Sequence, residues 1–313
     1  QLLPGYDFIS DSWTAGDDDG RDDDPTDTGD GVAADACGNG NKETKSTWHG
    51  SHVAGIIAAS TNNSTGVAGV APDAKILPVR VLGRCGGGTD LIDALTWASG
   101  GSVKGAPDNA NPAQVINLSL GGSGTCPAYL QKAIDDAVDR GSIIVASAGN
   151  EDQDVSGVSP GGCENVITVG ATTSTGTRSS FSNYGDAVEI SAPGGDSGKN
   201  SPKILSTTDE SQTAPRSIGY SDMVGTSQAA PHVSGTIALM LAANPDLKTA
   251  EIVTILQNTA TPLSKCDQKS CGAGIVNAAS AVAEASSKSA KPGNKPSAKP
   301  SATAGGRTLR LGN

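Results

Sequence analysis

The stretch QVINLSLGGSGTCPAYLQKAIDDAVDRGSIIVASAGN, residues Gln114–Asn150, decides the fold class. It begins with the apolar run QVINLSL and ends with the apolar run SIIVASAGN, and both predict strands that are buried on two faces. Between them, PAYLQKAIDDAVDRG has apolar residues at helical spacing. Pro127 suits the first turn of that helix, and Gly141 suits its C-terminal end. A strand, a helix and a second strand in this order predict a βαβ unit with parallel strands.

The same alternation continues on both sides of this unit. KILPVRVL (Lys75–Leu82) predicts a buried strand, and TDLIDALTWAS predicts the next helix, with Thr89 as its N-cap. NVITVGAT predicts another strand, and TSQAAPHVSGTIALMLAANP predicts a long helix interrupted by Pro231. We therefore expect an α/β fold, a three-layer sandwich with a central, mainly parallel sheet flanked by helices.

Two segments of different composition divide the chain. Residues 1–285 are long enough to form one large domain, and 286–313 are rich in Lys, Pro, Ser and Ala with almost nothing to bury. We expect a disordered tail or linker over 286–313. The chain starts at Gln1 without a methionine or a basic region, so we also expect an N-terminus that is processed or truncated.

Charge and hydropathy exclude several classes of partner. The formal net charge is −11, which argues against nucleic acid and against an anionic membrane, because both require clustered Lys and Arg. No apolar run reaches about 18 residues, so we expect no membrane-spanning segment. We expect a monomer.

The six cysteines predict disulfide bonds and an oxidising compartment. Their number is even, their spacing is wide, and the chain has only three histidines to complete a zinc site. Spacing alone leaves about fifteen connectivities open. A secreted, extracellular protein is the expectation that follows.

Three short stretches carry the candidate catalytic residues. HGSHVAG begins at His49, SAGN ends at Asn150, and GTSQAAPH contains Ser227. Each is weak alone, because a serine at a helix start is usually a cap and a lone histidine is usually structural. Together they resemble, in order and over nearly the whole chain to about residue 285, the three hallmark blocks of the subtilisin-like serine proteases (subtilases). The chain is most similar to the disulfide-containing bacterial extracellular branch of that family.

The resemblance implies a role for each of these residues. Ser227 would be the nucleophile and His49 the general base, and Asn150 would stabilise the oxyanion together with the Ser227 backbone amide. The spacing of His49 and His52 would also suit a metal pair, but the resemblance makes His52 and His232 packing residues.

An extended polypeptide substrate is implied by the same resemblance. It would lie between two glycine-rich segments, with a pocket wall built from small residues and a floor near Val158–Pro160, which favours broad specificity. The residues expected to contact substrate are Gly86, Gly87, Gly88, Ser119, Leu120, Gly121, Ser147, Ala148 and Gly149. Subtilases commonly have methionine after the nucleophile, whereas this chain has Gln228, so we expect tolerance to peroxide.

The segment PTDTGDG (Pro25–Gly31) contains Asp-Thr-Gly. This tripeptide begins the aspartic-protease motif, and it also surrounds the triad aspartate of many subtilases. An aspartic protease needs two such elements after apolar strands, and neither Asp27 nor the second candidate at Asp196 follows one. The resemblance places the triad aspartate before Gln1, outside this sequence. Asp27 is therefore not expected to be catalytic.

The acidic run offers a candidate metal site. Asp22, Asp24, Asp27 and Asp30 alternate with small or turn residues, a pattern that can bring oxygens around Ca²⁺, and the related branch carries calcium here. A solvated acidic loop is the alternative. The resemblance also implies the disulfide pairs Cys37–Cys85, Cys126–Cys163 and Cys266–Cys271.

The expected function is a secreted serine endopeptidase. The alternative is a non-catalytic fragment or pseudoprotease that keeps a peptide-binding groove, because the triad aspartate is absent from the chain.

Overall fold

The computed structural model describes residues 1–38, 40–87, 90–266 and 270–289. Its helices in chain order are α1 (Ser12–Ala15), α2 (His49–Ala58), α3 (Asp90–Ala98), α4 (Ala128–Asp139), α5 (Thr226–Ala243), α6 (Thr249–Thr259) and α7 (Ala278–Ser289). Its strands are β1 (Tyr6–Asp7), β2 (Val79–Arg80), β3 (Val115–Leu118), β4 (Gly122–Ser123), β5 (Ile143–Ser147), β6 (Val158–Ser159), β7 (Val166–Thr172), β8 (Ile190–Pro193), β9 (Ile204–Asp209) and β10 (Ile218–Met223).

A parallel four-stranded sheet forms the centre of the molecule, in the order β3-β5-β7-β8. Every residue of β5 and β7 is buried, as the continuous apolar runs predict. Strands β1 and β2 form a separate parallel pair. Two further pairs, β4 with β6 and β9 with β10, are antiparallel.

Helices cover both faces of the central sheet. Alternate residues of β5 point to opposite sides: Val145 packs in a core with Ile237 of α5, and Ile144 packs in a second core with Ile134 of α4. The first core also contains residues of α6 and α7, and the second contains Leu95 of α3. This confirms the three-layer α/β sandwich.

Helix α5 corrects the expected interruption at Pro231. The helix runs from Thr226 to Ala243 with Pro231 inside it. A proline lacks the amide that would bond to the carbonyl four residues earlier, here that of Ser227. The hydroxyl of Ser119 donates to this carbonyl instead, over 2.7 Å, so the backbone oxygen keeps a partner and the helix continues.

The N-terminal strands are shorter than expected. Of the segment Lys75–Leu82, only Val79–Arg80 pairs as a strand, with one additional bridge between Ile76 and Leu2. Thr89, the expected N-cap, lies outside the described residues. At the other end, α7 continues to Ser289, so the expected boundary after residue 285 falls inside a helix, and 290–313 lie outside the described residues.

Three disulfides join Cys37 to Cys85, Cys126 to Cys163, and Cys266 to Cys271. These are the pairs that the resemblance implies. None of the helices within the described ranges has both the length and the apolar character needed to cross a bilayer.

Candidate active site

Ser227 lies in the first turn of α5, directly after a sharp backbone turn. Gly225 precedes the helix with φ +152°, and a Cβ atom there would stand 2.9 Å from the Gln228 side-chain oxygen. Only glycine fits this position without strain. The Ser227 hydroxyl donates to the Ser119 carbonyl over 3.2 Å, and the helix N-terminus favours negative charge at this point.

The backbone of Ser227 is held by a chain of side chains that links β3 to α5. The Ser119 hydroxyl donates to the Ser227 carbonyl over 2.7 Å and accepts from the Asn117 amide over 2.9 Å. The Asn117 carbonyl oxygen in turn accepts from the Ser234 hydroxyl over 2.9 Å. Because Ser234 is on the same helix as Ser227, the network fixes α5 against β3 at two points.

Asn150 is oriented by Thr226, the residue before Ser227. Its Oδ1 accepts from the backbone amide of Thr226 over 2.9 Å and from the Thr226 hydroxyl over 3.1 Å. The hydroxyl of Thr226 also accepts from the Gly149 amide over 3.0 Å. Since these bonds occupy Oδ1, the exposed Nδ2 is the end of the Asn150 side chain that can donate to a ligand.

Two residues that the sequence did not single out hold the loop around Asn150. The Asn183 amide donates to the Ala148 carbonyl over 2.8 Å and to the Glu151 carboxylate over 2.7 Å. Glu151 in turn accepts from the Asn150 backbone amide over 2.9 Å. The local sequence around Asn183 reads as an ordinary turn, and its partners are more than 30 residues away, so no sequence signal identifies it.

His49 is the first residue of α2. Trp48 precedes it in the left-handed region, with φ +53°. Burial, and secondly the neighbouring His52, lower the pKa of His49, whereas the negative charge of Asp30 acts in the opposite direction. The imidazole is therefore neutral at neutral pH and able to accept a proton. No residue in the described ranges forms a hydrogen bond to the His49 ring.

His49, Asn150 and Ser227 line one cavity of about 2350 Å³. The cavity is also lined by residues of β2 and β3, which belong to two different sheets, and by apolar side chains of α2, α3 and α5. The structure thus brings the three residues of the separate sequence blocks to one space.

The expected substrate-contacting residues lie in three places. Ser119–Gly121 follow β3, and Ser147–Gly149 end the adjacent parallel strand β5, so these two segments are neighbours at one edge of the sheet. Gly86 lies in a tight turn in which its amide donates to the Gly83 carbonyl over 3.2 Å. Of the nine expected residues, Gly86, Ser119 and Leu120 line the cavity that contains His49, and Gly88 lies outside the described residues.

The other two histidines have backbone partners. The His52 Nε2 is 3.1 Å from the Ile204 carbonyl and 3.0 Å from the Ser221 carbonyl, and the His232 Nδ1 is 2.8 Å from the Gln228 carbonyl. Across the described ranges, no three His, Cys, Asp or Glu side chains are placed to hold a metal ion. The structure therefore gives no support to a metal pair of His49 and His52.

The acidic run contains no group of three or more possible metal ligands within the described residues. Three of the four carboxylates accept from a residue two positions later: Asp22 from the Asp24 amide, Asp24 from Thr26, and Asp27 from the Gly29 amide. Asp30 accepts from Thr47, which is 17 positions away. The calcium site expected from these four residues therefore stays a prediction. The Asp27 side chain is half-buried, and this burial raises the pKa of its carboxyl.

Two arginines form ion pairs in and beside the acidic run. Arg80 is 8% exposed and its guanidinium bonds to Asp7 over 2.5 Å and to Asp17 over 2.9 Å. Arg21, within the acidic run itself, pairs with Asp90 and Asp93. Part of the negative charge of this region is thereby compensated by protein groups.

Comparison with known proteins agrees with this arrangement. The family model described as "Subtilase family" matches residues 6–295. An extracellular protease of Xanthomonas campestris pv. campestris is 52% identical over 286 residues, covering 91% of this chain and 48% of that protein. An extracellular basic protease of Dichelobacter nodosus is 50% identical over 290 residues, covering 90% of this chain and 47% of that protein. The chain spans about half the length of these curated relatives.

Solved structures show the same likeness. A protease structure from Pseudoalteromonas arctica PAMC 21717 superimposes with a TM-score of 0.88 at 49% identity, covering 91% of this chain and 84% of that one. A cold-adapted subtilisin-like serine proteinase gives a TM-score of 0.59 at 29% identity, covering 80% of this chain and 86% of that one. With the family model matching nearly the whole described fold, and with a serine, a histidine and an asparagine lining one cavity, the chain belongs to the subtilase family.

Proposed function

We propose that the chain is the peptidase domain of a secreted serine endopeptidase that hydrolyses peptide bonds through an acyl-enzyme. One observation carries the proposal: His49, Asn150 and Ser227, which come from three separate elements, line the same cavity. The two curated relatives at about 50% identity are both named extracellular proteases, and the three disulfides suit an oxidising compartment.

In the proposed reaction, the Ser227 hydroxyl leaves the Ser119 carbonyl and attacks the carbonyl carbon of the scissile bond. Its proton passes to the neutral imidazole of His49, which later donates it to the leaving amine. The negative charge that develops on the carbonyl oxygen is stabilised by Nδ2 of Asn150 and by the Ser227 backbone amide. Water then hydrolyses the acyl-enzyme by the reverse sequence of proton transfers.

The third member of the triad is proposed to come from outside residues 1–313. No carboxylate within the described ranges bonds to His49, and the cavity beside it is lined by the two sheets that contain β2 and β3. A strand inserted between these sheets and ending in an aspartate would orient the imidazole. In subtilisin, loss of that aspartate lowers kcat by about 3 × 10⁴, so an active protein requires such a group.

The substrate is proposed to be an extended polypeptide that bonds to the backbone of the two segments 86–88 and 119–121. The wall 147–149 consists of small residues, and Val158, 3% exposed, pairs with Ser123 near the proposed floor. These small and apolar surroundings support broad specificity. We further propose that the protein acts as a monomer.

Calcium is a separate question from catalysis. Subtilases commonly bind structural calcium, but Asp22, Asp24, Asp27 and Asp30 do not converge in this chain.

The proposal is tested on the protein expressed from its complete gene. Wild-type protein should hydrolyse casein and react with a serine-directed fluorophosphonate, with the label on the peptide that contains Ser227. The Ser227→Ala variant should lose both properties while it keeps the same unfolding temperature. Labelling at a different residue, or full activity of Ser227→Ala, would contradict the proposal.

A non-catalytic peptide-binding protein is the second candidate, and the lack of a carboxylate bonded to His49 in the described ranges is the observation that favours it. N-terminal sequencing and intact mass of the protein from its natural source separate the two. A preceding apolar strand that ends in aspartate supports the endopeptidase. Peptide binding without hydrolysis or labelling would establish the second candidate.

A further inference from the structure

We propose that the β9–β10 hairpin sets the position of His49 relative to Ser227, and that His52 is the positioning residue through which it does so. The inference rests on the proposed roles of His49 and Ser227. His52, which the sequence analysis gives as a packing residue, would then contribute to the rate of the reaction.

The hairpin is attached to α2 on both sides of His49. On one side, the indole nitrogen of Trp48 donates to the Ser211 carbonyl over 2.8 Å, in the loop that joins the two strands. On the other side, the Nε2 of His52 lies 3.1 Å from the Ile204 carbonyl of β9 and 3.0 Å from the Ser221 carbonyl of β10. Both side chains are almost completely buried, with Trp48 3% and His52 0% exposed.

The partners of His52 define its protonation. Both groups near Nε2 are carbonyl oxygens, so Nε2 must carry the proton and donate it. The other nitrogen, Nδ1, is buried without a hydrogen-bond partner among the described residues. Burial lowers the pKa of His52, in agreement with a neutral ring. A single N–H group thus joins α2 to both strands of the hairpin.

The contact between α2 and the hairpin leaves no room for the helix to slide. The Ser206 hydroxyl donates to the His52 carbonyl over 2.7 Å, and the Thr207 hydroxyl donates to the Ser51 carbonyl over 2.9 Å. A Cβ atom at Gly55 would stand 2.1 Å from the Thr207 hydroxyl oxygen. Helix and hairpin are therefore joined by hydrogen bonds and packed in close contact at this point.

The tip of the hairpin is fixed by a carboxylate. Asp209 accepts from the backbone amides of Ser211, Arg216 and Ser217 over 2.7, 2.8 and 3.0 Å. Hydrogen bonding from the Ser211 side chain first, and then from these three backbone amides, lowers the pKa of Asp209 to about 2. The loop that receives the Trp48 indole is consequently held by a group that stays ionised at working pH.

The hairpin leads directly to the nucleophile. Strand β10 ends at Met223, only four positions before Ser227, and the intervening Gly225 donates its amide to the Gly194 carbonyl over 3.0 Å. One continuous piece of structure therefore runs from both flanks of His49 to Ser227. Since an error of about 1 Å in the placement of a reacting group can cost about 100-fold in rate, the attachment at His52 bears on kcat.

The test compares two substitutions of His52 in the protein expressed from its complete gene. In His52→Gln, the side-chain amide can place an N–H group near the position of Nε2. In His52→Asn, the shorter side chain can place its amide only near the position of Nδ1. We expect His52→Asn to lower kcat by about 10-fold or more with KM within about twofold, and His52→Gln to recover most of that loss. Rates are measured well below the unfolding temperature of each variant.

A stability control separates positioning from general destabilisation. Ile252→Val in α6 removes one methylene from a fully buried side chain far along the chain from the hairpin, and should lower the unfolding temperature without changing kcat. Equal kcat values for His52→Asn and His52→Gln, or an equal loss of kcat in Ile252→Val, would overturn the inference.

The other anchor provides a second variant if His52→Asn does not fold. Trp48→Phe removes the indole N–H that bonds to Ser211 and keeps an aromatic ring in place. It should lower kcat by several-fold with KM unchanged, and an unchanged kcat would overturn the inference. Failure of the proposed function itself would be seen separately, as activity that survives Ser227→Ala.

Discussion

The two sides of the candidate active site are built differently. We call the surroundings of Ser227 and Asn150 the nucleophile side and those of His49 the base side, after the roles proposed for these residues. On the nucleophile side, Ser227 and Asn150 are held by hydrogen bonds from β3, α5 and the loop after β5. On the base side, the His49 ring has no hydrogen-bond partner in the described ranges, although it lines the same cavity as Ser227 and Asn150. Its helix is held from behind by a hairpin. Within the described residues, the proposed oxyanion donor Asn150 is thus held by hydrogen bonds, whereas the proposed base His49 has no partner that orients its ring.

The largest effect is expected at Asn150. Replacing Asn150 by Ala removes the proposed donor to the oxyanion and should lower kcat by about 10²–10³, or about 2.7–4 kcal/mol, the loss known for the corresponding donor in subtilisin. Asn150→Asp keeps the acceptor for Thr226 but replaces the donor by an oxygen. It should lose at least as much activity as Asn150→Ala in steady-state hydrolysis, and an Asp variant that retains kcat would remove Asn150 from the oxyanion site.

The second effect concerns the stability of the nucleophile side. In Ser119→Ala, the Ser227 carbonyl loses its hydroxyl donor, and Pro231 has no amide to replace it. An unsatisfied group of this kind should cost about 1–3 kcal/mol in the free energy of unfolding, measured in urea.

A double variant checks the cause of that loss. Ser119→Ala with Pro231→Ala provides a helical amide for the Ser227 carbonyl and should recover part of the stability. If Ser119→Ala is as stable as the wild type, the link from β3 to α5 contributes nothing to folding.

The nucleophile side could be predicted from the sequence to a large extent because its parts are local. Continuous apolar runs indicated β5 and β7, and the blocks around Asn150 and Ser227 each contain their own turn glycine, Gly149 and Gly225. Because a turn with positive φ favours glycine, the residue type itself indicates these turns in the sequence. The supporting Asn183 was missed, since its role depends on contacts across more than 30 residues.

The base side was less accessible to sequence reasoning because its contacts are long-range. The bond between His52 and Ile204 spans 152 positions, and that between Trp48 and Ser211 spans 163. No periodic pattern reports such pairs. The ion pairs of Asp7 and Asp17 were not predicted for a related reason: their buried partner Arg80 lies more than 60 positions away.

The third prediction tests the close-packed sheet behind the nucleophile. Glu189 accepts from the Thr168 amide over 2.6 Å, and burial raises the pKa of this carboxyl from 4.5 to about 7. The folded protein therefore binds a proton that the unfolded chain has released between about pH 4.5 and 7. Stability from this group is present below pH 4.5 and is lost as pH rises through 7.

Glu189→Gln removes that titration while it retains an acceptor for Thr168. Between pH 5 and pH 8, the free energy of unfolding of Glu189→Gln should rise by about 1–2 kcal/mol relative to that of the wild type. This value already allows for the partial exposure of the side chain. A pH-independent difference would show that Glu189 titrates normally in the folded protein.

The fourth prediction concerns the electrostatics of the base side. The charge of Asp30 raises the pKa of His49 against the effect of burial. Asp30→Asn keeps an acceptor for the Thr47 amide but removes the charge, so the pKa of His49 should fall. The acidic limb of kcat/KM against pH should then move to lower pH. The control is Asp24→Asn, because the wild-type Asp24 carboxylate bonds to Thr26. This variant should leave the pH of the acidic limb unchanged.

The smallest effect is expected where the two sides meet, at the residue after the nucleophile. Gln228 is 2% exposed, and its amide lies 3.8 Å from the sulfur of Met223, which also lines the cavity. A methionine at position 228 would gain a polar oxygen on oxidation in this buried place, next to Ser227. Wild-type kcat should therefore fall by less than about twofold in peroxide that inactivates Gln228→Met with first-order kinetics. Rapid first-order inactivation of the wild type, with sulfoxide found at Met223 by mass spectrometry, would contradict this prediction. It would show that oxidation of Met223, at the end of β10, inactivates the protein.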